Sequence, residues 1–573
     1  MHSEKSTFIV KITYFFLRKD RVNFVSLCMF KKTAPTQIDM FQEVRAHLSD
    51  RKNSILDDPT SWHNVFLREV TQRVDESVFE PLFKAAGRPN ASLRILLAMM
   101  ILKEGNGWSD EQLFNSCRFD IRCMRALGLY HIGEDIPVES TYYEFRRRLT
   151  EHNKNGGCDL VGEAFNGAVR GQIEAFNLKG EKVRMDSKLI QSNIGKASRL
   201  DLILETVKVS IVHLALDPLS GKLNNEDMDL LKSIKSKTTS NITYPLNSEE
   251  KKRMIKRLGN IIRHLLPFCS EGSQLHRLYR EQYRDEPDKG DDQGGGKEAV
   301  PKEAKDVATD SLQSPHDPEA AYRRKGHGKS KQQVTGYHTN VTETISEENQ
   351  FQLITDVQTQ AANICEDAFL LPAIEGSNSV LDIDGTGQKN VNHVTTDGGY
   401  DSRANREAMV QEGSPHWNMD GHKGGKQRYE LGHDAYGNLT AYCKWTKANC
   451  RTFQAPTVDK HVILHPNGTK RYLTGEQIQH YFRLQDHHAK QNPDEINIRP
   501  NVESTIHQVF HRLLKRDKMK YRGKYKCKMY CISRAFWVNF TRILKNEVET
   551  ALILLFSLIW TREEHRIVSK WVI

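Results

Sequence analysis

Three acidic residues in unlike local settings are the part of this chain best suited to chemistry: Asp186 in KVRMDSKLI, Asp397 in VTTDGGYDS and Glu503 in RPNVESTIHQVFHRL. Divalent magnesium takes oxygen ligands and keeps several waters, so a phosphoryl-transfer site supplies few carboxylates and leaves open positions for the scissile phosphate. Three acids are enough. With two ions, one activates the attacking water or 3′-hydroxyl and the other stabilises the leaving oxygen, and the protein contributes placement and electrostatics. The pattern points to a metal-dependent nuclease site assembled from distant parts of the chain.

The elements that must position these acids are legible around them. Val183 and Met185 alternate with Arg184 and Asp186, the period-two signature of a half-buried strand. VNHVTT is β-branched and ends at Asp397; Gly398 and Gly399 then permit a tight turn, and Ser402 can cap the helix ANREAMV. Val502, Ile506, Val509, Phe510 and Leu513 form the apolar stripe of an amphipathic helix, with Glu503 at its border. GYHTNVTETIS and FQLITDVQTQ alternate as strands and fit a hairpin pairing with the Asp186 strand.

Several motifs in this order resemble the DDE transposases of bacterial insertion sequences. They are MDSKLI, TTDGGYDSRANREAM, SPHDPEAAYRRKG followed by TGYHTNVTET, and RPNVEST leading into YRGKYKCKMYCISRAFWVNFTRI. GRPNASLRILLAMMILKEGNGWSDEQLFNSCRFDIRCMRALGL is similar to that family's transposase-associated N-terminal domain. The resemblance runs from about Met40 to about Leu544. It implies an α/β fold: an RNase H-like mixed sheet flanked by helices, with an all-α N-terminal domain and a β-rich insertion before the last catalytic helix. It carries Asp186, Asp397 and Glu503 over as the catalytic triad holding Mg2+ (or Mn2+). The expected partners are double-stranded DNA, as terminal inverted repeats and target, and further copies of the chain in a homodimer or higher synaptic complex. The expected location is cytoplasmic and nucleoid-associated.

Around the last acid, related transposases show Tyr, two residues, Arg, three residues, Glu, six residues, Lys. Arg499 and Glu503 fit, but Ile496 stands at the Tyr position and Phe510 at the Lys position. Spacing alone offers Arg512 or Lys515 as the replacing DNA contact. Between His511 and Lys545 twelve Lys or Arg stand against one acid, with aromatic residues interleaved, which suits a phosphate-tracking surface. In TYYEFRRRL, Arg146, Arg147 and Arg148 accompany Tyr142, Tyr143 and Phe145, so a helix-turn-helix-like DNA contact is expected beside the bland reading of a solvated helical face.

At 573 residues with a net charge of +10, the chain is long enough for several domain equivalents, and its charge distribution matters more than its sum. Residues 1–39 are read as an upstream extension, because Met29 and Met40 stand downstream of the first residue and the resemblance starts near the latter. Their apolar runs are too short to cross a bilayer and lack a cleavage site, so neither membrane insertion nor a secretory signal is expected. Residues 40–155 read as a helical domain, with Ser92, Ser109 and Ser140 opening helices. Residues 156–545 read as the catalytic domain, holding a helical insertion at 199–283, a disordered acidic linker at 285–315 and a β-rich insertion at 413–490. Residues 546–573 read as a tail. The linker assignment rests on nine acids and no aromatic residue from Asp285 to Asp310.

Rival acids are Asp317, Asp356, Asp382 and Asp384; none has the DGGYDS context. The cysteines show no repeated CxxC spacing, and Cys527 and Cys531 are expected to share a buried helical face. Trp417 and Trp445 are expected either in a core or stacked on a base at the DNA end. Two other functions fit the pattern less fully: an inactive DNA-binding relic or repressor of transposition, and another RNase H-like nuclease.

Overall fold

A computed structural model describes residues 30–33, 43–84, 89–131, 134–212, 214, 221–287, 297–308, 310–326, 332–381, 391–411, 416–419, 429–444, 446–455, 460–475, 477–479, 481–482, 485 and 499–571. Side chains after Leu555 and those of β8 below lie outside this set, as do those of Arg499, Trp417 and Trp445 and the whole of Asp382 and Asp384.

The chain begins with helices: α1 (Asp50–Asp57), α2 (Trp62–Phe66), α3 (Leu93–Asn106), α4 (Asp110–Phe119), α5 (Ile121–Ala126) and α6 (Glu139–Lys154). Ser92 caps α3 by accepting from Ile95 N, and Ser109 forms a reciprocal capping box with Gln112, which satisfies amide groups that a helix start leaves bare. α6 starts one residue before Ser140, with Val138 at its cap. α3 is apolar all round, and Leu96, Leu97, Met99, Ile101 and Leu102 are buried. A helix of that composition must be enclosed on every side.

After α7 (Leu160–Ala175) comes β1 (Lys182–Gln191). α8 (Arg199–Ile211), α9 (Asn225–Ser236), α10 (Thr239–Thr243), α11 (Ser248–Leu265) and α12 (Gln274–Gln282) then build the expected helical insertion around a core of its own, including Ile203, Val207, Leu231, Leu258, Ile262 and Leu278.

The acidic stretch is not a featureless linker. β2 (Tyr283–Pro287) pairs antiparallel with β3 (Lys297–Pro301). Tyr283 and Ala299 are buried in the insertion core, and Asn260 accepts from Ala299 N at 2.8 Å. These two apolar anchors tie β2 and β3 to the insertion core.

β4 (Ala321–Lys325), β5 (Gln332–Thr344) and β6 (Ile354–Ala361) follow, then α13 (Leu370–Leu381), β7 (His393–Thr396), α14 (Arg403–Gln411) and β8 (His416–Met419). The main sheet runs β4, β5, β1, β7, β8, with β6 pairing the second half of β5. β1 is antiparallel to β5 and parallel to β7, and β7 is parallel to β8. The hairpin read from GYHTNVTETIS and FQLITDVQTQ is β5 and β6, and it pairs with β1 as expected. β8 belongs to this sheet, which corrects the boundary at residue 413: α14 supplies the crossover that parallel strands require. The insertion proper is an antiparallel meander of β9 (Tyr429–His433), β10 (Leu439–Cys443), β11 (Ala448–Gln454), β12 (His461–Leu464) and β13 (Lys470–Leu473).

α15 (Arg499–Phe510) and α16 (Lys524–Trp571) close the fold. α16 carries no Gly or Pro, so nothing stops it, and it continues through the residues read as a separate tail. Cys527 and Cys531 are buried one turn apart on it. Its first half joins the helical module to the sheet. Phe66 packs against Phe540 and Trp537, and Gly105 of α3 lies against the Trp537 indole, where a methyl group would collide. Asn539 exchanges two hydrogen bonds with the Ile354 backbone of β6, at 2.8 and 2.9 Å. One continuous core thus spans the module and the sheet.

Arg534 holds the junction. Fully buried, its guanidinium donates to the carbonyls of Glu104 and Gly105 at the end of α3 and to those of Gln508 and Val509 at the end of α15. Helix C-termini leave carbonyls bare and carry partial negative charge, so a cation shared between two of them is satisfied without any carboxylate.

Candidate active site

The parallel register of β1 and β7 pairs Lys182 with His393, Val183 with Val394 and Arg184 with Thr395. Two residues further on stand Asp186, still within β1, and Asp397, the first residue past β7, so continuing the register brings the two acids to neighbouring positions at one edge of the pair. Both are half-buried. Asp186 Oδ1 accepts from Ser187 N at 2.7 Å. Asp397 caps the turn Gly398–Tyr400, its Oδ1 accepting from Gly399 N at 2.6 Å.

The same face carries α15. Arg184 Nε donates to Glu343 Oε1 at 2.6 Å, and Glu343 also receives Thr505 Oγ1 of α15 at 2.8 and 2.9 Å and Arg542 Nη1 of α16 at 2.7 Å. All four side chains are buried or nearly so. Arg184 and Asp186 lie two positions apart on one strand and share a face, so Asp186 points to the side on which α15 rests. Glu503 sits two residues before Thr505 and is exposed; that spacing turns it roughly 200° around the helix from Thr505. Among the described residues, no group of three or more His, Cys, Asp or Glu side chains is placed to hold a metal ion. The fold therefore brings Asp186 and Asp397 together and lays the helix of Glu503 on their face, without gathering the three carboxylates into one ligand set. The paired aspartates fit a hard divalent cation, which takes oxygen donors and can be held by one or two carboxylates with waters.

The opposite face of β1 and β5 carries a neutral network that the sequence reading missed. Buried His338 donates from Nδ1 to the Ile364 carbonyl at 2.9 Å, which leaves Nε2 to accept from Ser187 Oγ at 2.9 Å. Burial holds its pKa down at about 4. Tyr400, fully buried, donates its hydroxyl to Asn340 Oδ1 at 2.6 Å. Burial raises the Tyr400 pKa well above its ordinary value; a hydrogen bond with Ser187 opposes the rise, and the charges of Asp186, Glu366 and Asp397 add to it. One phenol thus senses all three acids. Buried Glu366 accepts from Lys325 Nζ at 2.9 Å and presses against Gly399, beside Asp397. Gly399 is needed for that approach as much as for a turn. Tyr400, His338, Asn340 and Lys325 all sit in motifs visible in the sequence (DGGY, GYHTN, AYRRKG); Glu366, in NICEDAF, had no such signal.

Of the rival acids, Asp317 and Asp356 fall among the described residues. Asp317 is fully buried and accepts from Ser192 and Tyr337. Burial pushes the Asp356 carboxyl up to about 7, against the opposing charge of Lys528. The expected DNA-contacting arginines of α6 are engaged within the protein. Arg146 lies over the rings of Tyr142 and Tyr521, at 5.6 and 4.9 Å. Arg147 pairs with Glu144 and Glu151, and Arg148 pairs with Glu144 while covering Phe83. Arg512 and Lys515 are exposed after α15.

Residues 54–148, from within α1 to within α6, match the family model described as Transposase domain (DUF772). The match supports a transposase. No curated protein and no solved structure matches the chain. Among the described residues, no helix is long and apolar enough to cross a membrane.

Proposed function

We propose that the chain is a DNA transposase with an RNase H-like catalytic core, which binds the ends of an insertion sequence, cleaves there and joins the freed end to target DNA. The observation that carries this reading is the parallel register of β1 and β7, which runs Asp186 of β1 toward Asp397 at the exit of β7, in a chain whose helical module matches a transposase domain. The sheet supports it further: the strand of the first acid is central, flanked by the expected hairpin on one side and the strand of the second acid on the other.

Asp186 and Asp397 would hold Mg2+ or Mn2+, with Glu503 of α15 as the third carboxylate of the triad. A bound cation supplies Lewis-acid activation of the nucleophile and charge stabilisation at the leaving oxygen. The chain itself orients the phosphate. Arg499 at the head of α15, and Arg512 and Lys515 just past its end, would follow the DNA backbone. In cleavage, water forms a new P–O bond and the 3′-hydroxyl leaves; in transfer, that hydroxyl attacks a target phosphate and displaces another 3′-hydroxyl. Joining both ends calls for two or more copies in one complex, working on the nucleoid. Arg147 and Arg148 reach DNA only by exchanging their glutamate partners for phosphate.

The test uses purified chain, a duplex carrying the element's terminal repeat, and Mg2+. Asp186→Asn and Asp397→Asn should abolish nicking and joining while end binding persists. Undiminished metal-dependent nicking by either variant would remove the assignment. A second reading, a DNA-binding chain without catalysis, is favoured by the exposed position of Glu503 away from the aspartate pair. It predicts end binding with no nicking by the wild-type chain.

A further inference from the structure

Glu366 opens the turn Glu366–Phe369 before α13 and is buried beneath the loop that carries Asp397. Its Oε1 is held by Lys325 Nζ at 2.9 Å. Its Oε2 fills the place where a side chain at Gly399 would begin, and Asp397 Oδ1 lies 2.8 Å from that same point. Only the missing side chain of Gly399 separates the two carboxylates. Like charges this close disfavour each other unless a cation stands near, and the effect grows as water is excluded. Lys325 offsets Glu366 from one side, and Gly399 N donates to Asp397 from the turn between them.

Resting on the aspartate pair proposed above, we propose that Glu366 is a positioning residue for that site: its charge, graded by Lys325, raises the affinity of Asp186 and Asp397 for a divalent cation. Glu366 acts through Asp397, and its own oxygen stays with the lysine. Outer-shell groups hydrogen-bonded to metal ligands change metal affinity by about 10- to 100-fold when removed, and an uncompensated negative charge beside a ligand acts in the same direction through Coulomb attraction.

The experiment measures Mn2+ binding to the full chain without DNA, by the loss of the free-ion electron paramagnetic resonance signal, with thermal unfolding recorded for each variant. Glu366→Gln should weaken Mn2+ binding by about tenfold or more, and Glu366→Asp should restore part of it. Lys325→Met should act in the opposite direction and tighten binding, because it removes a cation facing the site. A purely structural role for the ion pair predicts weakening in both, and that result, or no change with Glu366→Gln, overturns the proposal. Should Glu366→Gln fail to fold, Lys325→Met decides alone: tightening supports the assignment, and unchanged or weaker binding refutes it. Mn2+ uptake that does not depend on Asp397 would also overturn it. Uptake that depends on Asp397 in a chain that neither cuts nor joins DNA defeats the transposase reading, and leaves Glu366 to be judged on the measured affinities.

Discussion

The two faces of the β1–β5 pair solve the same problem, burying polar side chains, by opposite means. Toward α15 and α16 the solution is ionic: Glu343 is wrapped by Arg184, Arg542 and Thr505. Toward the Asp397 loop His338, Ser187, Asn340 and Tyr400 share neutral hydrogen bonds, and the charges of Arg323 and of the Lys325–Glu366 pair stand at their border. The difference teaches where rigidity and tolerance lie. Buried charges are severe when one partner goes, because the remaining charge cannot reach water, whereas a neutral bond lost costs little more than itself.

The largest effect should come from Glu343→Ala, which leaves two buried guanidinium groups facing each other. A loss of about 3–5 kcal/mol of unfolding free energy is expected in urea titration. A loss below about 1 kcal/mol would mean that water reaches this face and the contrast is false.

His338 comes next. Its folded pKa of about 4 lies below the ordinary 6.5, so the unfolded chain takes up a proton more readily than the folded one. The stability contributed by the neutral ring is complete above pH 6.5 and is lost as pH falls toward 4, by ~3 kcal/mol at most. Unfolding free energies at pH 7 and pH 4.5 should differ less in His338→Gln than in the wild type; an equal difference would place the acid sensitivity elsewhere.

Thr505→Val keeps the charges and deletes one donor, for an expected ~1–2 kcal/mol. If it also slows strand transfer while Tyr400→Phe does not, the ionic face is the one that seats α15 for chemistry. Tyr400→Phe should cost the least, about 1 kcal/mol by thermal melting, since Asn340 loses only one neutral partner. A drop as large as that of Glu343→Ala would erase the distinction between the faces.

What the sequence made legible is what short-range pattern encodes. Alternation around Asp186 and through GYHTNVTETIS marked β1, β5 and β6, because a strand's two faces impose period two wherever it is buried on one side. Ser92 and Ser109 marked helix starts. Beyond the pairing of that hairpin with β1, the long-range contacts were not legible. Nothing near Glu366 shows that Gly399 will meet it, and nothing near Arg534 shows that two helix ends will converge on it. The acidic run misled because composition averages over a segment, while two anchors, Tyr283 and Ala299, are enough to order its ends. The helical module read as a separate domain because its pattern is helical throughout; Trp537 and Phe540, hundreds of residues away, pack it into one core with the sheet.

Arg534 has a practical corollary for anyone dissecting this chain. Two of the carbonyls that quench its charge come from the helical module and two from α15. Removing the first 155 residues would therefore expose a half-satisfied cation in the middle of what remains. Grafting in a module from another source would succeed only if that donor offered a helix end at the same spot. The two halves are better exchanged as a matched set.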